Sequence, residues 1–355
     1  MEKHSLIVSS SPHIRTDDDT RSIMLDVCIA LAFPLAVSFY FFGPRALTVT
    51  AVSVLSCVVF EYLYCKLMGR AAAVRDLSAM VTGLLLAFCL PVAVPLWLPV
   101  VGALFAIVIV KQLYGGLGKN FINPALAARA FLMFSWAVNM TSWTDPMLNQ
   151  KLHPFKSVDM TSAATDAVSA ATPLKALKDG VVPNVDLWQL FRGETAGSIG
   201  EVSAVLILFG GLYLIIRKVI TPRIPLWYIG TVAALTFLFP RGGIVFGDWA
   251  GQANWMLYHI LSGGLMLGAV FMATDYSTSP VTKRGQMFFG MGCGVLTVFI
   301  RYFGGYPEGV CYAILLMNTA VWLLDKAGLP RRYGVPKLER FRAHFRKLPE
   351  GGGDK

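Results

Sequence analysis

The chain has 355 residues and a formal net charge of +10, with 55% hydrophobic against 15% charged residues and a mean hydropathy of +0.59. That balance excludes an ordinary soluble domain and points to a polytopic membrane protein. The positive charge does not indicate nucleic acid as a partner, because the basic residues fall in short clusters between apolar runs, as an orientation signal does.

The opening segment, MEKHSLIVSSSPHIRTDDDTRS, is too polar and too acidic for a cleavable signal peptide, so residues 1–22 read as a water-exposed tail. A helix needs about 20 apolar residues to cross the hydrocarbon core, and about ten such windows follow. They run over 23–42, 46–67, 77–95, 96–114 and 124–138, and then over 200–217, 225–240, 255–274, 286–304 and 309–325. The fifth, seventh and tenth are short, and only Pro91 and Pro95 separate the third from the fourth. The fold class expected is an all-α integral membrane protein. Its parts are a first membrane repeat over 23–138, a loop over 139–199, a second repeat over 200–325 and a basic tail over 326–355.

Orientation follows from the basic residues. With the N-terminus in the cytoplasm, the inner loops carry Lys66, Arg70 and Arg75, then Lys111 and Lys119, then Arg217, Lys218 and Arg223, then Lys283 and Arg284, and last the tail. The outer connections carry chiefly Arg45, Arg241 and Arg301 at their edges. This is the positive-inside pattern of a multi-pass membrane protein with both termini cytoplasmic. The 139–199 loop is then extracytoplasmic. It is too short for a sizeable core of its own and is predicted to lie over the membrane part, with short helices at Pro173–Lys178 and Asp186–Arg192.

The halves echo each other. Leu77 to Pro91 resembles Leu261 to Asp275, and Gly115 to Leu126 loosely resembles the run from Gly304 to Val321. Five helices per half is an odd number, so the second copy enters from the opposite side, which makes an inverted repeat. The runs GGLGKNFINPALAARAF and HILSGGLMLGAVFMATDYSTSP are dense in glycine, asparagine and serine. They are consistent with broken helices that hold a ligand or an ion, or with close helix packing through small residues.

The acidic residues Glu61, Asp275, Glu308 and Asp325 are candidates for an ion pathway; each also lies near a helix end, where water can solvate it as an interfacial anchor. Trp97, Trp136, Trp227, Trp249 and Trp255 fit an interfacial belt. The six cysteines lie in apolar segments without a CxxC pair and read as small buried hydrophobes. There is no Rossmann fingerprint, P-loop, HExxH or triad-like spacing, and no metal site is expected.

One polar stretch, DAVSAATPL, stands out. Alone, a hydroxyl before proline is an ordinary turn or helix cap. Yet Asp166, Ser169 and Thr172 closely resemble the motif at which a flavin transferase esterifies FMN through its phosphate to a final hydroxyl, here that of Thr172. Ala170 stands where the motif usually has glycine. Pro173 disfavours helix at Thr172 and keeps the hydroxyl presented.

DLSAMVTGLLLAFCLP, KQLYGGLGKNFINPALAARAF, GSIGEVSAVLILFGGLYLI, RIPLWYIGT and RYFGGYPEGVCYAILLMNTA add to the likeness. Over about residues 20–330 the chain resembles the family that contains the D subunit of the Rnf electron-transport complex and the B subunit of the sodium-pumping NADH:quinone reductase. The resemblance implies ten helices in two inverted five-helix repeats, similar to urea transporters. It implies covalent FMN at Thr172 and a second, noncovalent flavin, riboflavin or FMN, within the membrane part. Its implied partners are the other subunits of an Rnf-type complex, a flavin transferase and the lipid bilayer, and its implied role is electron transfer between ferredoxin and NAD coupled to sodium or proton transport. The alternative from another class is a permease for a small polar solute on the same architecture.

Overall fold

The computed structural model of the chain describes residues 19–69, 73–143, 172–183, 185–201, 203–244 and 247–329, and the regular structure among them is helical, with no strand. Apolar stretches without partners for a sheet satisfy their backbone internally, which only helices achieve segment by segment.

Helix α1 (Thr20–Phe42) turns at Gly43 into α2 (Pro44–Leu67), with Pro44 at the first helical position, where its missing N–H costs nothing. Helix α3 (Ser78–Phe88) is followed by a non-helical passage to α4 (Trp97–Leu104), which continues without a break as a π-helix over Phe105–Gln112. Asn123 caps α5 (Pro124–Ser135), its side-chain oxygen accepting from the Ala125 and Leu126 N–H groups; the short α6 (Ala137–Met140) follows. Two loop helices, α7 (Pro173–Lys178) and α8 (Leu187–Arg192), lie at the two predicted places.

The second half holds α9 (Ala204–Ile216), α10 (Arg223–Leu238) and α11 (Trp249–Leu261). After a break come α12 (Leu265–Leu267), running into a second π-helix at Gly268–Met272, then α13 (Lys283–Phe303), α14 (Val310–Thr319) and α15 (Val321–Gly328).

Every apolar window thus contains helix, but not every window is a straight span. Among the described residues three helices, α1, α2 and α13, are long and apolar enough to cross a membrane, and two bent pairs raise the number to five. The bends are 65° between α11 and the α12 segment and 60° between α14 and α15. Helix α3 stops at Phe88, well short of the expected 95. Pro91 and Pro95 follow, and proline disfavours helix in the residue before it.

The packing has a pattern. Helix α2 lies against α3 and α4, α10 lies against α11 and α13, α1 packs on α9, and α5 on α14. Small residues make the closest of these approaches. A Cβ on Gly83 of α3 would stand 2.7 Å from the Val54 Cα of α2, so no larger residue fits there. The loop helices rest on α11 through a small apolar cluster of Leu174, Leu177, Leu190, Trp255 and Tyr258.

Several charges that the sequence presents as surface markers are in the interior. Lys111, Arg45 and Arg301 are all buried, at 2%, 1% and 1% exposure. Arg45 donates to the Val94 carbonyl at 2.8 Å in the passage after α3. Trp255, expected in the interfacial belt, is completely buried and donates its indole N–H to Tyr302 Oη at 3.0 Å. In each case the polar atom finds a protein partner far away in sequence, which hydropathy cannot register.

The break between α11 and α12 is the sequence Ser262, Gly263, Gly264. Gly263 has φ +69, and a Cβ there would also meet Leu174 Cδ2 at 2.9 Å. Gly263→Ala is therefore expected to cost about 1–3 kcal/mol. Thermal unfolding of the detergent-solubilised chain should show the loss, and an unchanged midpoint would mean that the left-handed turn is not held.

Candidate functional site

Thr172 occupies the N-cap position of α7 with extended backbone, φ −71 and ψ 145, as a residue before proline should. Its side chain makes no capping hydrogen bond; the carbonyl alone is used, accepting from Lys175 N–H at 3.0 Å. The hydroxyl is left for other chemistry. Asp166 and Ser169, the other motif residues, lie outside the described residues.

Thr172 is half-buried at a cavity whose wall also includes Trp143, Thr195, Glu201, Ser262, Gly263 and Glu308. This outer cavity, as we term it, brings the loop threonine to the break in the α11–α12 helix. Glu308, an ion-pathway candidate, accepts from both Nη atoms of the buried Arg129 of α5. Glu201 does not stand out in the sequence, where it reads as the polar start of an apolar run. Here its Oε1 and Glu308 Oε1 flank Gly264, at 3.2 and 2.9 Å from where a Cβ would stand, with Arg129 Nη1 at 3.9 Å. On the far side of the break, Arg301 donates to the carbonyls of His259 at 2.5 Å and Ser262 at 3.0 Å, neutralising the end of α11.

A second cavity lies at the opposite end of the α5–α14 pair. The helices run antiparallel. The Asn318 side-chain oxygen, in the amide orientation its neighbours require, accepts from Asn123 N–H at 3.1 Å. Cys311 Sγ meets the Leu126 carbonyl at 3.3 Å, and Glu308 meets Arg129. Passing along α14 from Glu308 to Asn318 covers ten residues, or about 15 Å of helix. The inner cavity is lined by Ser78, Lys111, Asn120, Asn123, Thr274 and Asp275, with Phe271, Leu85 and Leu214 among its apolar walls. Asn123 also donates to the Met272 carbonyl at 3.2 Å, at the end of the second π-helix.

The remaining candidates divide. Asp275 lines the inner cavity and accepts from Ser277 Oγ at 2.9 Å and Thr278 Oγ1 at 3.1 Å. Glu61, expected near water at a helix end, is fully buried instead and accepts from Lys111 Nζ and Gln112 Nε2, both at 2.7 Å. Lys111 donates also to Ser78 Oγ at 2.6 Å, so the pair reaches the edge of the inner cavity. Asp325 is taken up by structure: it accepts from Thr282 N–H and Oγ1, each at 2.9 Å, ahead of α13. The structure thus brings Thr172 and Glu308 together at one end, and Glu61 and Asp275 to the surroundings of the other.

The two cavities differ in their linings. The inner one pairs amide, hydroxyl and charged groups with apolar walls, the mixture that a ring with one polar edge needs. The outer one presents a hydroxyl that capping leaves unused.

Comparison with known proteins gives one family. The profile of the NQR2, RnfD, RnfE family matches residues 7–334. The chain is 47% identical over 343 residues to the D subunit of the Na(+)-translocating ferredoxin:NAD(+) oxidoreductase complex of Acetobacterium woodii, covering 96% of this chain and 99% of that one. It is 41% identical to the D subunit of the proton-translocating ferredoxin:NAD(+) oxidoreductase complex of Clostridium ljungdahlii, with 94% and 98% covered. Identity to the D subunit of the ion-translocating oxidoreductase complex of Stutzerimonas stutzeri is 39%, with 88% and 91% covered.

Proposed function

The chain belongs to the NQR2, RnfD, RnfE family, and on that premise we propose that it is the subunit of an Rnf-type complex that carries FMN as a phosphoester on Thr172. It is a membrane subunit of an ion-translocating oxidoreductase complex, as its relatives are, and works with the other subunits of that complex. The observation that carries the flavin reading is the uncapped Thr172 hydroxyl on the wall of the outer cavity, in a stretch that resembles the flavinylation motif. A flavin accepts electrons singly or in pairs, and so joins a two-electron donor to a one-electron chain.

The chain's own residues supply placement. Thr172 tethers the cofactor, and α7 fixes the threonine by burying Leu174 and Leu177 against α11. Asn120, Asn123, Lys111, Ser78 and Asp275 would hold a second, noncovalent flavin in the inner cavity, with Phe271 and Leu85 beside its apolar part. The matched packing of α2 on its neighbours and of α10 on its own supports two five-helix repeats of inverted sense, similar to those of urea transporters. Asp275 and Glu308, at opposite cavities, remain the ion-pathway candidates of this reading.

A denaturing gel of the purified protein, coexpressed with a flavin transferase, should show a flavin-fluorescent band. A dark band would remove the covalent flavin from this reading and leave membership of the family, which rests on sequence similarity, untouched. The reading also places the 139–199 loop outside and both tails inside the inner membrane. A cysteine substituted for Lys156 should react with an impermeant reagent added to intact cells, and one substituted for Arg340 should not. The reverse pattern would invert the orientation.

A further inference from the structure

We propose that the seam between α10 and α13 binds one anionic glycerophospholipid, with its phosphate held by Arg223, Lys283 and Arg284 and one acyl chain lying along a notch at Gly230. Nothing in this site depends on the flavin reading. A Cβ on Gly290 would stand 2.9 Å from the Ile224 carbonyl oxygen and 2.9 Å from Trp227 Cβ, and one on Gly294 would stand 2.7 Å from Thr231 Cβ. Further along, Tyr228 Oη and Thr297 Oγ1 are 2.7 Å apart, and Arg241 donates to the Tyr302 carbonyl at 2.7 Å. The two sequences advance together, so the helices are parallel neighbours that begin at the same end. Thr221, ahead of α10, donates to Gln286 of α13 at 3.3 Å.

The helical period then places the side chains. With Ile224, Tyr228 and Thr231 facing α13, Arg223, Trp227 and Gly230 fall on one flank of α10. With Gly290 and Gly294 facing α10, Arg284, Met287 and Met291 fall on one flank of α13. In a parallel pair, one residue back on the first helix and one residue forward on the second turn to the same side. The two flanks therefore form a single outward strip.

That strip is basic at its start, aromatic below and open beneath. Arg223, Lys283 and Arg284 are exposed, and none has an ion pair among the described residues. Asp325, the acidic side chain at the start of α13, is taken by Thr282 and by the Val281 N–H. Trp227, 44% exposed, stands one turn below Arg223, where an indole suits the boundary between headgroup and hydrocarbon. Gly230 is exposed, and a Cβ there would meet nothing within 4 Å. Met287 and Met291, half-buried across the seam, have side chains that adapt to an irregular partner. Cations gathered without an acid call for an anion, and the planar fork of arginine matches phosphate. A solvated basic loop would account for the charges but not for the opening beneath them.

Native mass spectrometry of the full-length chain in nonionic detergent tests the site, with phosphatidylglycerol and phosphatidylcholine of the same acyl chains as probes. One phosphatidylglycerol is expected to bind at concentrations where phosphatidylcholine does not. Arg223→Gln combined with Arg284→Gln should weaken that binding about tenfold or more. Lys66→Gln combined with Arg75→Gln removes the same charge from exposed positions elsewhere and should leave it unchanged. Gly230→Leu fills the notch with every charge in place and should weaken binding severalfold. Equal affinity for the two lipids, or an equal loss in the two charge-reduced pairs, would overturn the site. Full binding by a Gly230→Leu chain that elutes as the wild type does would overturn it as well.

Discussion

Thr172→Ala is expected to abolish the covalent flavin. The denatured band should lose its fluorescence and the intact mass should lack the FMN increment, while the fold survives. The contrast follows from where the residue sits. Its hydroxyl makes no capping bond and the residue is half-buried in a cavity wall, so its loss removes no cap and should cost under about 0.5 kcal/mol. Pro173 and Leu174, which are buried, hold the turn. Ser169→Ala should reduce modification at most, since Ser169 stands at an upstream position of the motif. A Thr172→Ala band that stayed fluorescent would move the attachment elsewhere and leave family membership untouched.

Lys111→Met should be strongly destabilising. Lys111 and Glu61 are both buried, Gln112 is the only other donor to Glu61 among the bonds of the described residues, and Glu61 Oε2 has none. Removing the lysine leaves a carboxylate charge with one amide for company, an effect of about 3–5 kcal/mol. Adding Glu61→Gln to it removes that charge and should recover most of the loss. The comparison is a double-mutant cycle by thermal unfolding in detergent. If the single and double variants unfolded alike, the ion pair would not be the source of the cost.

These two residues also show what the sequence can and cannot reveal. Thr172 can be proposed from sequence because its motif is local: seven residues and a following proline carry the signal, and no tertiary contact is needed to raise it. The helices are legible for the same reason, since apolar runs report burial or lipid directly. Lys111 is not, because a lysine at the end of an apolar run looks the same whether it meets water or a glutamate 50 positions away. Arg45 and Arg301 mislead in the same manner. Glu201 escapes notice because one acidic residue between GSIG and VSAV resembles the edge of a membrane segment; only the fold sets it against Gly264 and Glu308. The kinks at Ser262–Gly264 and Ala320 shorten the count of straight spans, and hydropathy averaged over a window passes across them.

The two π-helical stretches bear on how the halves should be compared. In the first, Leu113 N–H reaches back to the Val108 carbonyl and Gly116 N–H to that of Lys111, five residues in each case. In the second, Ala273 N–H reaches Gly268. Each wide turn takes up extra chain relative to an α-helix, so the apolar stripe beyond it is out of phase with the stripe before it. On the two-repeat reading, an internal alignment that keeps a constant helical period through either stretch would slip the apolar stripe of one half against that of the other. Residues 105–112 and 268–272 are where a gap belongs.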